Sequence, residues 1–217
     1  MGTASDDGSA SAVSGDGSAS ASAVSGDGSA SAVPSATSAS ADQAVALLRE
    51  LGAADIPHPG GTLLAHLQRV QGRLAEWGAR PDLQLAGLCH AFYGTDGFPT
   101  ALLPVDRRAE LALVIGAEAE AIVYRYAACD RKATYPRLVE ADGPFHDRFT
   151  GRSHLPELQL RRDFAELSAA NELDIARIDP AFREQWGAEL LALFTRFRPL
   201  LSQPAWSACE FEVGPRR

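Results

Sequence analysis

The sequence predicts an all-α domain of six to seven helices behind a disordered N-terminal tail. Three observations carry that reading. Apolar residues recur at helical spacing through most of the chain after Ser40. No alternating strand pattern holds for more than a few residues. The segment before Ser40 is built from Ser, Ala, Gly and Asp, and such a composition buries too little surface to offset its ordering entropy.

Residues 1–38 are read as the tail. "SAVSGDGSASA" stands at 11–21 and again at 22–32, which fits tandem duplication of a flexible segment. Each repeat has a single carboxylate and no β-roll pattern, so calcium is not expected there. The helical domain is expected over 40–205, followed by a C-terminal tail over 206–217.

Ser40 and Gln43 form a capping box ahead of "AVALLRELG", a short amphipathic helix ending at Gly52. Thr62 caps the next helix, which stops at Gly78 with Leu63, Leu67, Val70 and Leu74 on one face. His66 borders that face. A third helix is expected from about Asp82 to Tyr93, stopped by Gly94. After a loop with Gly97, Pro99 and Pro104, Asp106 is the expected cap of "RRAELALVIG". "AEAEAIVYRYAACDR" reads as a fifth helix reaching Asp130, and 140–156 as irregular chain or a small hairpin. "ELQLRRDFAELSAANELDIA" is helical. "DPAFREQWGAELLALFTRFRPLLS" closes the fold, with Asp179 as N-cap and Pro180 at the first helical position.

The chain of 217 residues carries a formal charge of -8, against the basic face that nucleic acid requires. Cys89, Cys129 and Cys209 make an odd count without framework spacing, which favours a reducing compartment. No apolar run reaches the length of a membrane span. The N-terminus lacks the regions of a signal peptide, and Asp6 stands where a myristoylation signal wants Ser or Thr. The expectation is a cytoplasmic protein with a small-molecule substrate and no nucleic-acid or membrane partner.

Four residues are candidates for chemistry: His58, His66, His90 and Asp130. His66 lies early in its helix and His90 late in the next. Antiparallel packing across a four-residue join brings the two to one level. Two inward histidines and a carboxylate bind a divalent metal with water positions left open, and such a metal lowers the pKa of its water. The blander alternatives stay open. A histidine bordering an apolar face also serves as a hydrogen-bonded core residue. His58 sits among two prolines and two glycines and is placed to hold that turn. Asp130 is also placed to pair with Arg131 or Arg125. Tyr93, Gly94 and Thr95 are candidates for a pocket lining.

His66, the run "LAGLCH" ending in His90, and "AACDR" with Asp130 together resemble the HD-domain superfamily of helical metal-dependent phosphohydrolases. The resemblance covers roughly 45–135. It implies an HD-domain-like bundle in which His66, His90 and Asp130 hold a divalent metal and a water attacks a phosphoester of a phosphorylated small molecule. Mn, Fe, Zn and Ni are not distinguished. A minority of relatives use two irons to oxidise a small molecule instead. The signature His-Asp pair is broken here, because Ala91 follows His90. "IPHPGGTLLAHL", "WGA", "LAGLCHAFYGTDGF" and "AANELD" are similar to an uncharacterised bacterial HD-like family that also lacks that Asp. His58, or less favourably Asp96, replaces the lost ligand in this reading. Tyr93, Thr95, Asp96 and Arg131 are expected to meet substrate, and no residue is given a catalytic role. Arg69, Arg73, Arg125, Arg131 and Lys132 supply local positive potential.

Cys89 and Cys129 each neighbour a candidate ligand on a helix, point about 100° away, and are read as packing residues. The literal pair His146–Asp147 lies in a Gly/Pro-rich stretch and is read as coincidental. Asn171 is given a structural role. Three functions follow: a metal-dependent hydrolase of a phosphorylated small molecule, a degenerate HD-like module that binds without catalysis, and an iron-dependent oxygenase.

Overall fold

A computed structural model describes residues 36–215. The tail expectation for 1–38 falls almost wholly outside the described residues. Among those described there are nine α-helices and two short antiparallel hairpins, so the all-α expectation holds. No described helix is long and apolar enough to cross a membrane.

The first helix, α1, runs Ala36–Glu50. Ser40 therefore lies inside it and is not the N-cap, because the chain is already helical four residues earlier. Strands β1 (Pro57–His58) and β2 (Gly61–Thr62) form a tight hairpin. Its turn needs Gly60, at φ 78°, where a Cβ would lie 2.7 Å from the Ile178 side chain. Thr62 then caps α2 (Leu63–Glu76), its hydroxyl accepting from Ala65 N–H at 3.2 Å. Leu63, Leu67, Val70 and Leu74 are all buried, as their spacing required.

Helix α3 (Pro81–Cys89) is shorter than its apolar pattern suggested. It ends before His90, which is its C-cap residue, so Gly94 does not stop it. The run 90–94 is a buried turn instead, and apolarity alone does not separate the two. Gly94, at φ 66°, approaches the Pro99 carbonyl so closely that a Cβ would sit 2.8 Å from its oxygen. A 3₁₀ turn at Val105–Arg107 leads into α4 (Arg108–Ile115). Asp106 falls within that turn and gives α4 no cap.

Helix α5 (Ala117–Ala128) ends two residues before Asp130, which begins the single-turn α6 (Arg131–Thr134). The irregular stretch contains the expected hairpin, β3 (Phe145–Asp147) against β4 (Arg152–His154). Asp130 N–H and Arg148 N–H bond across to His146 and Ala128 carbonyls and tie this hairpin to the α5–α6 corner.

Helix α7 (Leu158–Ile178) is the spine. It packs on α2, α3, α5, α8 (Pro180–Phe197) and α9 (Gln203–Val213). Asp179 caps α8 through Ala181 and Phe182 N–H, with Pro180 at its first position. The expected C-terminal tail is corrected: residues 206–213 belong to α9, which Ser202 caps and which buries Ala205, Cys209 and Val213. Only three of its six apolar residues are buried, and Trp206, Ala208 and Phe211 fall between them, so no single apolar stripe stands out in the sequence. Glu166 of α7, 7 % exposed, accepts from both Ser202 N–H and hydroxyl and anchors this last helix.

Candidate functional site

A long core helix pays a desolvation cost for each buried carboxylate unless donors meet it. Helix α7 buries Asp163, Glu166, Asn171 and Asp174 along its length. Asn171 and Asp174 are three residues apart and share a face, and that face meets α2 at His66. His66 Nδ1–H donates to Asp174 Oδ2 at 2.8 Å, and its Nε2 lies 3.0 Å from the Asn171 side-chain carbonyl oxygen Oδ1. Arg69, one turn along α2, forks onto the same carboxylate with Nε and Nη2 at 2.9 Å from Oδ1 and Oδ2. Its Nη2 also donates to the Pro59 carbonyl, so the β1–β2 turn is clamped to α7. Burial alone would raise the Asp174 pKa, but the His66 and Arg69 hydrogen bonds outweigh it and hold it at about 2.

Three imidazoles meet here, as the antiparallel packing of α2 and α3 predicted for two of them. The His58 ring stacks on His66 at 4.2 Å between centroids, and His90 meets His66 edge-on at 5.3 Å. Phe98 and Tyr126 close the cluster against His58 and His90. His90 Nδ1–H donates to the Gly87 carbonyl at 2.8 Å, which leaves Nε2 without a hydrogen bond among the described residues. His58 Nδ1 is buried with no partner. Burial, helped by repulsion from His66, pushes His58 down to about 4 and His90 down to about 3, so both rings are neutral at pH 7.

Asp130 is not part of this group. Its carboxylate accepts from Ala133 N–H at 3.0 Å as the N-cap of α6, and no described hydrogen bond or ion pair joins it to a histidine, to Arg125 or to Arg131. Spacing placed it at a helix C-terminus; the chain turns one residue earlier, and an aspartate at a helix start satisfies an orphan N–H instead. Asp130→Ala should therefore cost about 1 kcal/mol of stability and leave the histidine cluster unchanged; urea titration with histidine ring NMR checks both.

The expected substrate contacts divide. Arg131 belongs to the site: Nη1 donates to Glu172 at 3.2 Å, Nη2 to Tyr126 Oη at 3.3 Å, and Nε is buried without a partner. Asp96 is exposed and accepts the Arg131 backbone N–H at 3.2 Å, which pins the 95–98 loop to α6 but brings no ligand atom to the histidines. Thr95 is buried, with its hydroxyl accepting from Phe98 N–H. Tyr93 turns away: its hydroxyl donates to Glu120 at 2.9 Å, a buried carboxylate also forked by Arg108. Burial first, and then Glu120, raise its pKa. A carboxylate 4 % exposed needs such donors, and that need took Tyr93 from the site.

Asp174 was not among the sequence candidates, and Asn171 was given only a structural part. The signal was present in "AANELD", where two polar residues three apart interrupt a core-facing stripe. His146 and Asp147 serve the β3–β4 hairpin: His146 meets Ser153, and Asp147 accepts from Tyr124 and from Phe149 and Thr150 N–H. Cys89 and Cys129 are fully buried free thiols, and burial raises both pKa values.

The donor chemistry suits a metal in one respect. His66 and His90 each have Nδ1 oriented by an oxygen acceptor, the usual support for an Nε2 ligand. The arrangement does not complete a shell. His66 Nε2 is engaged by Asn171, Asp130 is spent on a cap, and Ala91 is buried and apolar where the carboxylate of the pair would stand. Among the described residues no group of three or more His, Cys, Asp or Glu side chains is placed to hold a metal ion.

No curated protein and no solved structure matches the chain. Residues 47–131 match the model of a domain of unknown function, DUF6817, and nothing in that match links them to the HD-domain superfamily. The matched stretch takes in His58, His66, His90 and Arg131 and stops before the α7 residues that hold them. A DUF6817 domain is therefore found at residues 47–131.

Proposed function

We propose that the histidine pole binds a small polar molecule without a resident metal, the degenerate-module reading of the site. The observation that carries it is a pair of buried side-chain nitrogens without hydrogen-bond partners: His58 Nδ1, on the ring stacked against His66, and Arg131 Nε, on the guanidinium 5.6 Å from the Tyr126 ring that meets His90. Burying such an atom unpaired costs about 1–3 kcal/mol, so a ligand that bonds to it gains what the fold left open. Neutral His90, with its Nδ1–H given to Gly87, offers Nε2 as an acceptor, while Arg131 Nε is a donor. A ligand carrying both hydroxyls and acceptor oxygens meets both, and a phosphorylated small molecule fits that description.

The second reading is a metal-dependent hydrolase of a phosphorylated small molecule. It rests on the oriented Nδ1 atoms of His66 and His90. Metal uptake and ligand binding separate the two. Untagged protein incubated with Mn²⁺, Fe²⁺, Zn²⁺ or Ni²⁺ and desalted is expected to retain far less than one equivalent by mass spectrometry. In EDTA, sugar phosphates and nucleoside monophosphates are then screened for a rise in melting temperature. At least one should stabilise the protein, and His90→Gln should remove the effect. One equivalent of metal that disappears in both His66→Ala and His90→Ala would replace the first reading by the second, and iron with oxygen consumption would point to the oxygenase.

A further inference from the structure

Tyr126 is a shared wall. One side of its ring meets His90 at 5.5 Å, and it also lines a separate cleft of about 350 Å³ between α5, the start of α7 and the end of β4. That volume suits a small organic molecule. Ile122, Leu155, Leu160 and Phe164 form an apolar wall there, and Leu155 is 64 % exposed, unusual for a leucine unless something covers it.

The charges around the cleft are unevenly satisfied. Arg80 carries three partners: Asp163 at 2.7 Å, Glu118 at 2.6 Å and Asp82 at 3.2 Å. Those carboxylates hold it well above the usual guanidinium range, the Asp163 hydrogen bond first. Arg80, Glu118 and Asp163 are thus mutually neutralised. Arg125 is half-buried and lines the same cleft, yet it has no hydrogen bond, ion pair or ring partner among the described residues. Glu157, on the rim, likewise has no ion pair and gives α7 no side-chain cap. His154 contributes an exposed imidazole in ring contact with Phe145.

We infer that this cleft binds a small zwitterion with an apolar body, of the class of an apolar amino acid, its carboxylate on Arg125 and its ammonium toward Glu157. A simple anion would meet a rim on which acids outnumber bases, three (Glu118, Glu157, Asp163) to two (Arg80, Arg125). A zwitterion satisfies the unpaired base and the unpaired acid together and adds no net charge. Its apolar part covers Leu155 and the Ile122–Phe164 wall, where burial supplies about 25 cal/mol per Å². The site is independent of the histidine pole and needs no metal.

The test is NMR titration of the full chain, labelled with ¹⁵N, with L-phenylalanine up to about 10 mM, the range in which a ligand of millimolar Kd saturates. Saturable shifts are expected at Ile122, Leu155 and Leu160 and at the His90 ring behind Tyr126. 3-Phenylpropionate, lacking the ammonium, and phenethylamine, lacking the carboxylate, should each bind more weakly. Arg125→Gln should weaken phenylalanine binding by about tenfold or more, the loss of a charge-assisted hydrogen bond. Arg125 supports no other described group, so that variant should fold with an unchanged melting temperature. Glu157→Gln, at an exposed position, is the second variant and should bring phenylalanine down to the level of 3-phenylpropionate. Absence of saturable shifts, or equal binding by the wild type and folded Arg125→Gln, would overturn the proposal.

Discussion

Asp174→Ala is expected to lower stability by about 3 kcal/mol, the largest single loss among the polar residues of the site. The Asp174 side chain is fully buried and accepts from His66 and, through a fork, from Arg69, with Arg177 at 3.6 Å. Removing it strands His66, 1 % exposed, with one ring nitrogen unmet, and leaves Arg69 without its carboxylate. Arg69 is partly exposed and recovers some hydration, so the loss falls at the lower end of what a broken buried ion pair costs. The β1–β2 turn should loosen as well, because Arg69 also holds the Pro59 carbonyl. Asp174→Asn keeps an acceptor for His66 and should lose less. Urea midpoints for the two variants decide the matter; a loss below about 1 kcal/mol for Asp174→Ala, the size of a single ordinary hydrogen bond, would show that the pair does not hold the pole together.

The second large effect is acid lability beginning well above the carboxylate range. His58 and His90 titrate at about 4 and about 3 in the fold but near 6.5 in the unfolded chain. The unfolded chain therefore takes up protons first as pH falls. The stability contributed by these neutral rings is fully present above pH 6.5 and is lost as pH drops toward 4 and then 3. One histidine locked neutral gives a slope of about 1 kcal/mol per pH unit in that window. His90, deeply buried, supplies most of it, and half-buried His58 less. Asp174 adds a later loss of the same sign: its pKa is depressed to about 2, so its contribution is present above pH 3.8 and fades below it. Urea midpoints at pH 7.5, 6.0 and 4.5 should fall steadily for the wild type and less steeply for His90→Phe, which is close in shape and cannot protonate. Equal midpoints at pH 7.5 and 4.5 would show that the rings gain access to water and protons.

The first effect arises where residues 105 or more positions apart in sequence meet, His66 with Asn171 and Asp174. The sequence identified His66 and His90 because each breaks an apolar helical pattern and because a short join implies antiparallel neighbours. His58 was flagged through its turn, where the backbone demands of Gly60 keep the imidazole beside α2. Asp130 was mistaken because its neighbours continue a helical pattern, while the chain turns at Cys129 into an extended residue. Tyr93 was mistaken because a buried carboxylate on another helix, Glu120, claimed its hydroxyl.

What the sequence by itself determined is local. Hydrophobic periodicity, the Thr62 and Asp179 caps, Pro180 at its helix start and the punctuation by glycine fix an all-α fold, since each depends on residues within a few positions. The tertiary structure alone decided the company each polar residue keeps. Whether an aspartate caps a helix, as Asp130 does from Ala133 N–H, or orients a histidine, as Asp174 does, depends on which donor the packing brings within about 3 Å, and for Asp174 that donor comes from another part of the chain.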